Sequence, residues 1–402
     1  MTKKVYITGI GVISAIGNKV SENYESLLAK KSGIGEITFL DTVHKGKIPV
    51  AEVKLSDKEL KYRLGFSGDD AVTRTALLGI TAAKEALKNA SVHNMKKYRT
   101  GIVSATTVAG MVAREKYYLD FLNSDFLNEH VNTFEAADST ERIADFFGIK
   151  EFMTTVSTAC SSSANAIMTG VRLIKSGLLD RVIAGGTDAL SKYTLNGFNT
   201  LMILDREHCK PYDNERKGLN LGEAAAYLIL ESEKTVKEEG KIPLAVVSGY
   251  ANANDAFHQT ASSPEGYGAY SAMMQALKTA NLKPQDINYV NVHGTGTPNN
   301  DLSEGRAMIK AFNGKVPKFS STKAYTGHTL AAAGSLEAAF SVLSLQKKVI
   351  FPNLNFQNPM HEFDLIPQVE VSKNTYIEHI MSNSFGFGGN GTVLIFSEIK
   401  QP

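Results

Sequence analysis

Cys160, His293 and His328 are the residues of this 402-residue chain whose types and settings can do chemistry. Cys160 sits in Thr158-Ala159-Cys160-Ser161-Ser162-Ser163, after the β-prone run Phe152–Val156 and before the apolar-periodic stretch Ala164–Lys175, which closes at Gly177. That order predicts a strand-to-helix turn, with the thiol at the positive end of a helix, where its anion is favoured and becomes a nucleophile. An isolated intracellular cysteine is commonly a buried structural residue. The catalytic reading therefore rests on what accompanies it.

His293 ends the strand-like run Ile287-Asn288-Tyr289-Val290-Asn291-Val292 and opens the turn Gly294-Thr295-Gly296-Thr297-Pro298. An imidazole at a strand end can face a cleft beyond the sheet edge, where α/β proteins place their sites. His328, in Lys323-Ala324-Tyr325-Thr326-Gly327-His328-Thr329, repeats the arrangement at the mouth of the helical stretch Leu330–Leu345. A third element, Asn383-Ser384-Phe385-Gly386-Phe387-Gly388-Gly389-Asn390-Gly391, precedes the last strand pattern. Its glycines allow positive φ and leave N–H groups free to meet an anion. No Lys-Ser/Thr follows, and the two phenylalanines suit an acyl gate better than a nucleotide loop. Two histidines and one cysteine in open loops fall short of a metal site with its supporting partners, so no metal is expected.

The elements that must position these groups alternate in type. Short β-rich runs (Val5–Ile10, Gly101–Ala105, Arg181–Gly185, Ala226–Leu230, Leu244–Ser248, Ile287–Val292, Thr392–Phe396) are interspersed with helical periodicity over Ala71–Leu87 and Ala269–Ala280. Strands that read as continuous apolar runs argue α/β layering with helices covering both sheet faces. The strand, polar turn and small-residue helix around Cys160 recur as Lys318–Lys323, Gly327-His328 and Leu330–Leu345, which suggests a duplicated unit. The charged segment Glu231–Lys241 reads as a surface helix and turn between the two copies.

Composition narrows the function classes. With 43% hydrophobic and 21% charged residues, the chain reads as a soluble globular protein. A net charge of +2 is too even for a general nucleic-acid or membrane binder. The opening residues lack a secretory signal, and no apolar run has the length of a transmembrane helix. Two cysteines rule out a disulfide framework, Cys209 reads as incidental, and the cytoplasm is the default location.

Four motifs in this order, Thr158-Ala159-Cys160, His293 to Pro298, Lys323 to His328 and Asn383 to Gly389, resemble the elongating, type II β-ketoacyl-[acyl-carrier-protein] synthases. The resemblance runs from Ile7-Thr8-Gly9-Ile10-Gly11 and Gly17-Asn18 to Leu394-Ile395-Phe396. It implies a thiolase-like fold, two pseudo-symmetric α/β halves in a five-layered αβαβα sandwich. Residues 1–242 would form the half carrying Cys160, and residues 243–402 the half carrying both histidines.

The resemblance also implies an acyltransferase performing a decarboxylating Claisen condensation in fatty-acid elongation. Cys160 would take an acyl chain from acyl-carrier protein, with its oxyanion held by the N–H groups of Cys160 and Phe387. His293 and His328 would donate from Nε2 to the enolate that malonyl-carrier protein leaves on losing carbon dioxide. Lys323 matches the family's active-site lysine, and Glu304 an acidic residue that pairs with it. Phe385 and Phe387 would flank the acyl channel, with Phe198 and Val108 lining its pocket. Lys61, Arg63, Arg74 and Arg206 would form a basic rim for the acidic carrier. No cofactor of the protein's own is implied, since phosphopantetheine arrives on the carrier, and a homodimer is expected.

Three details depart from the housekeeping pattern: Asn390-Gly391-Thr392 after the glycine loop, Gly294-Thr295-Gly296 after His293, and Ser161-Ser162-Ser163 after the cysteine. They point toward a specialised polyene or polyketide-like pathway as the alternative. A non-catalytic chain-length partner in a heterodimer is a second alternative, and the retained Cys160 speaks against it. A degradative thiolase would carry another cysteine in the last glycine loop, which has none.

Overall fold

The computed structural model describes residues 4–121 and 128–399. Its apolar runs form two copies of one five-stranded unit. β1 (Val5–Ser14), β2 (Thr100–Ala105), β3 (Phe152–Val156), β4 (Arg181–Asp188) and β5 (Ala224–Ser232) lie in the order β3-β2-β4-β5-β1. β6 (Ala245–Asn254), β7 (Tyr289–Asn291), β8 (Lys318–Ser320), β9 (His379–Phe385) and β10 (Asn390–Ser397) repeat it as β8-β7-β9-β10-β6. In each copy the first strand pairs antiparallel with the fifth and the fifth with the fourth, while the fourth, second and third run parallel. Tyr6 and Ile7 pair with Val246 and Ala245, joining the copies into one ten-stranded order.

Three of the helices form the layers around each copy: α1 (Arg74–Asn89), α2 (Ala136–Phe147) and α3 (Ser162–Lys175), then α4 (Tyr267–Ala280), α5 (Pro298–Ala311) and α6 (Ala333–Lys347). α1 and α2 cover the outer face of the first copy, and α4 and α5 that of the second. α3 and α6 lie between, each touching strands of both copies. The layers are thus helix, sheet, helix, sheet, helix, as the resemblance implies.

Burial all round explains the composition of α6, whose residues Ala333 to Leu345 are all buried. Gly334 is the close approach: a Cβ there would lie 2.8 Å from the backbone N of Ala164 and 2.9 Å from its Cβ. Ser335 N–H donates to Ser163 Oγ beside it, at 2.8 Å. This crossing brings the start of α3, which follows Cys160, against the start of α6, which follows His328.

The Glu231–Lys241 segment is only partly the surface feature expected. Glu233–Glu238 is helical, but Glu231 is fully buried between Arg181 and Lys241. No helix among the described residues is long and apolar enough to cross a membrane.

Candidate active site

The turn after β3 is strained where it delivers the sulfur. Ala159 takes φ of 53°, a left-handed conformation that costs a non-glycine residue free energy, and Ser162 Oγ accepts from Thr158 N–H at 2.8 Å to hold it. Cys160 follows, just before the first residues of α3, and only 6% of it is accessible. Burial pushes its thiol up to about 11, against the pull of the Lys323 charge and the Phe387 N–H on the sulfur. Burial thus opposes the anion that the helix end favours, because desolvating a charge works against the helix dipole.

His293 and His328 approach from the other copy. Their rings stand edge to face, with centroids 5.3 Å apart, and Cys160 Sγ and one nitrogen of each ring lie within 4.8 Å of one another. His328 Nδ1 accepts from Leu330 N–H at 3.2 Å, and His293 Nδ1 lies 3.2 Å from Lys323 Nζ. A ring nitrogen that accepts carries no proton, so the ring N–H of each residue is at Nε2. Burial first, and then the Lys323 charge, holds both imidazoles well below their usual value near 6.5. Both are neutral donors.

Lys323 donates to His293 Nδ1, to His293 O at 2.6 Å and to Glu337 Oε1, which uses all three ammonium protons. Its carboxylate is thus Glu337 of α6, which corrects the expected Lys323–Glu304 pair. Glu304, on α5, instead accepts from the N–H groups of His293 and Gly294, both at 2.8 Å, and from Asn383 Nδ2 at 2.9 Å. It fixes the turn that carries His293. Burial pushes Glu337 up to about 7 while Lys323 pulls it down. Glu337 is the one charge in Leu330–Leu345, and a lone charge in a buried helix demands a partner, so the sequence did hold this signal.

Cys160, His293 and His328 line a cavity of about 270 Å³. Phe198, Phe385 and Phe387 line it too, whereas Val108 does not. Val108 belongs with Leu190, Leu195 and Leu330 to a buried cluster that, among the described residues, meets the cavity through Phe198 and Leu219. Lys217, exposed and unanticipated, lines the cavity as well.

The expected basic rim loses one member. Arg74 is 8% exposed and bound to Glu223 at 2.6 Å and Asp57 at 2.7 Å, so it supports the fold. Lys61 is half-buried and donates to the carbonyls of Gly68 and Asp70, while Arg63 is exposed. Exposed Arg206 donates to Asn199, in the Lys192–Thr200 helix that carries Phe198. A larger cleft of about 610 Å³ beside Lys61 contains none of the three reactive groups.

Comparison with known proteins gives the family. Residues 2–235 match the family described as Beta-ketoacyl synthase, N-terminal domain, and residues 244–357 match Beta-ketoacyl synthase, C-terminal domain. The chain belongs to the β-ketoacyl synthase family. This synthase is 32% identical over 413 aligned positions to 3-oxoacyl-[acyl-carrier-protein] synthase 2 of Staphylococcus aureus (strain N315), covering 99% of each chain. Among solved structures it is similar to the ishigamide ketosynthase/chain length factor, with a TM-score of 0.91, 27% identity and 100% of both chains covered. It is also similar to a type II PKS acyl-carrier protein in complex with its ketosynthase bound to the hexaketide (AntDE:AntF), at a TM-score of 0.89 and 25% identity, covering 99% of this chain and 100% of that one. The thiolase-like architecture and the condensing-enzyme class of the synthase follow.

Proposed function

We propose that this synthase joins a Cys160-bound acyl chain to malonyl-acyl-carrier protein with loss of carbon dioxide, giving 3-oxoacyl-acyl-carrier protein in fatty-acid elongation. The observation that carries the reading is the convergence of one thiol and two neutral imidazoles within 4.8 Å. In the first half-reaction the Cys160 sulfur attacks the incoming thioester, the pantetheine sulfur leaves, and the thiol proton ends on it. The N–H groups of Cys160 and Phe387 hold the oxyanion.

In the second, malonyl thioester loses carbon dioxide, and the enolate oxygen takes hydrogen bonds from His293 and His328 Nε2. Neutral donors suit this step, because they stabilise the oxygen without a full charge beside the new carbanion. The enolate carbon attacks the acyl thioester, the C–S bond breaks, and the Cys160 anion takes one proton from solvent. Its high affinity for a proton closes the cycle.

Residues 1–242 would supply the nucleophile and residues 243–402 the two donors. No bound cofactor is needed, since the phosphopantetheine arm enters with the carrier. Exposed Lys217, which lines the cavity, would meet that arm's phosphate, and Arg206, Lys61 and Arg63 would serve the carrier's acidic surface. A homodimer is proposed through β3, the end strand with no further strand beside it among the described residues, where Met153 is 43% exposed. The other end strand, β8, is covered by Gln368, whose N–H meets Phe319 O at 2.8 Å. The proposed location is the cytoplasm.

Likeness to ketosynthase/chain-length-factor assemblies supports one second reading, a specialised polyketide-like synthase whose partner is a paralogue. Purified protein given acyl- and malonyl-carrier proteins should release carbon dioxide and form the 3-oxoacyl product, and Cys160→Ala should form none. Full product formation by that variant would end the proposal. Light scattering separates a dimer from a single chain that needs a paralogue.

A further inference from the structure

The two oxyanion N–H donors come from different copies of the fold. Cys160 lies in the turn before α3, Phe387 in the glycine loop between β9 and β10. The loop rests directly on the turn: a Cβ at Gly386 would lie 3.0 Å from Thr158 O and 3.1 Å from Cys160 N. Among the described residues, and apart from the Phe387 N–H on the sulfur, the hydrogen bonds joining these two regions end on Asn390 and Thr392.

Asn390 Oδ1 accepts from Ser161 Oγ at 2.7 Å, Asn165 Nδ2 at 3.0 Å and Asn252 Nδ2 at 2.7 Å. Ser161 and Asn165 belong to the cysteine turn and the first turn of α3, and Asn252 to β6. The single Ser161 hydroxyl proton is shared between Asn390 Oδ1 and Thr158 O, Asn165 Nδ2 also donates to Thr158 Oγ1, and Thr392 Oγ1 donates to Asn165 Oδ1 at 2.8 Å. On the loop side, Asn390 O accepts from Gly386 N–H at 2.8 Å. One residue therefore closes the glycine loop with its backbone and clasps the cysteine turn with its side chain.

We propose that Asn390 is a positioning residue that sets the spacing of the Cys160 and Phe387 N–H groups, and so serves acyl transfer but not malonyl decarboxylation. The proposal rests on the condensing reading above. The division follows from geometry, since the enolate oxygen is served by His293 and His328, which Asn390 does not touch. Oxyanion donors are worth about a hundredfold or more in rate each, and sub-ångström misplacement forfeits part of that.

Asn390→Leu removes the acceptor at similar volume, whereas Asn390→Asp keeps an acceptor for all three donors. The leucine variant should load acyl chains onto Cys160 about 10- to 100-fold more slowly, with KM for the acyl donor little changed and malonyl decarboxylation within about twofold. The aspartate variant should recover loading to within about threefold of the parent. Equal slowing of both half-reactions, or undiminished loading in Asn390→Leu, would overturn the proposal. If Asn390→Leu does not fold, Ser161→Ala removes one clasp and should slow loading several-fold with decarboxylation retained. Parent protein that neither loads nor decarboxylates would instead remove the condensing reading itself.

Discussion

Phe198 and Phe387 stack with their ring planes 15° apart and their centroids 5.8 Å apart. One ring belongs to the Lys192–Thr200 helix and the other to the glycine loop, so the stack holds the loop over the cavity. Such a pair contributes about 0.5–1.5 kcal/mol. Phe198→Ala should shift the loop toward open by about 2- to 10-fold. Intact mass after exposure to acyl carriers should show loading of a dodecanoyl chain gaining on a butanoyl chain by that factor. An unchanged ratio would mean that Phe198 does not hold the loop.

Lys323 and Glu337 are both buried and bind each other, and Lys323 also fixes His293. Removing one partner of a buried pair typically costs about 3–5 kcal/mol. Lys323→Ala should lose about that much in urea unfolding and most malonyl decarboxylation. Adding Glu337→Ala should cost less than its single value, with a coupling of about 1–3 kcal/mol, while Glu304→Ala, which meets Lys323 only through His293, should couple to it more weakly. A coupling to Glu304 in place of Glu337 would restore the pairing expected from sequence.

The three reactive residues and the repeated layers were legible because each leaves a local mark: turn residues beside a strand, or an apolar run of a given period. Partner choice was not. The lone charge of Leu330–Leu345 marked Glu337 as a group in need of a partner, but Glu304 also lies in a helix near the lysine, and only the folded contact shows that Lys323 meets Glu337. Arg74 looked like a surface cation because its partner Glu223 is remote in sequence and adjacent only after β5 forms. Asn390 looked like a departure from pattern; its three donors come from β6 and the α3 turn, which no spacing along the chain brings together.

His293 and His328 are held neutral by burial and by Lys323, with the proton on Nε2. Nitrogen-15 NMR should show no imidazolium for either residue between about pH 8 and about pH 5.5. The unfolded chain takes up protons as pH falls through about 6.5, and these folded imidazoles do not, so their contribution to stability declines in acid. Between about pH 7 and about pH 5 the parent should therefore lose more stability than His328→Gln. A parent that loses less would mean that His328 is charged in the folded protein.

With its thiol pushed up to about 11, resting Cys160 has a thiolate fraction that grows tenfold per pH unit through the neutral range. Iodoacetamide labelling should accelerate about tenfold per unit from about pH 7 to about pH 9 without levelling. Lys323→Ala should label more slowly, since the lysine charge pulls the thiol down. A plateau below about pH 8 would show that the end of α3 does hold a resting thiolate.

Lys217 is the one lysine or arginine lining the cavity, and it is exposed with no carboxylate partner among the described residues. On the arm that brings the acyl chain the fixed charge is at the phosphate, so that group is the complement of Lys217. Exposed ion pairs contribute up to about 1 kcal/mol, and reversing the charge roughly doubles the effect, so Lys217→Glu should raise KM for acyl-phosphopantetheine about tenfold. KM for the acyl-N-acetylcysteamine thioester, which has no phosphate, should stay within about twofold. A rise confined to the carrier-bound substrate would place Lys217 against the carrier's acidic surface and remove it from the arm. A rise for all three thioesters would mean that the substitution disturbs the cavity itself.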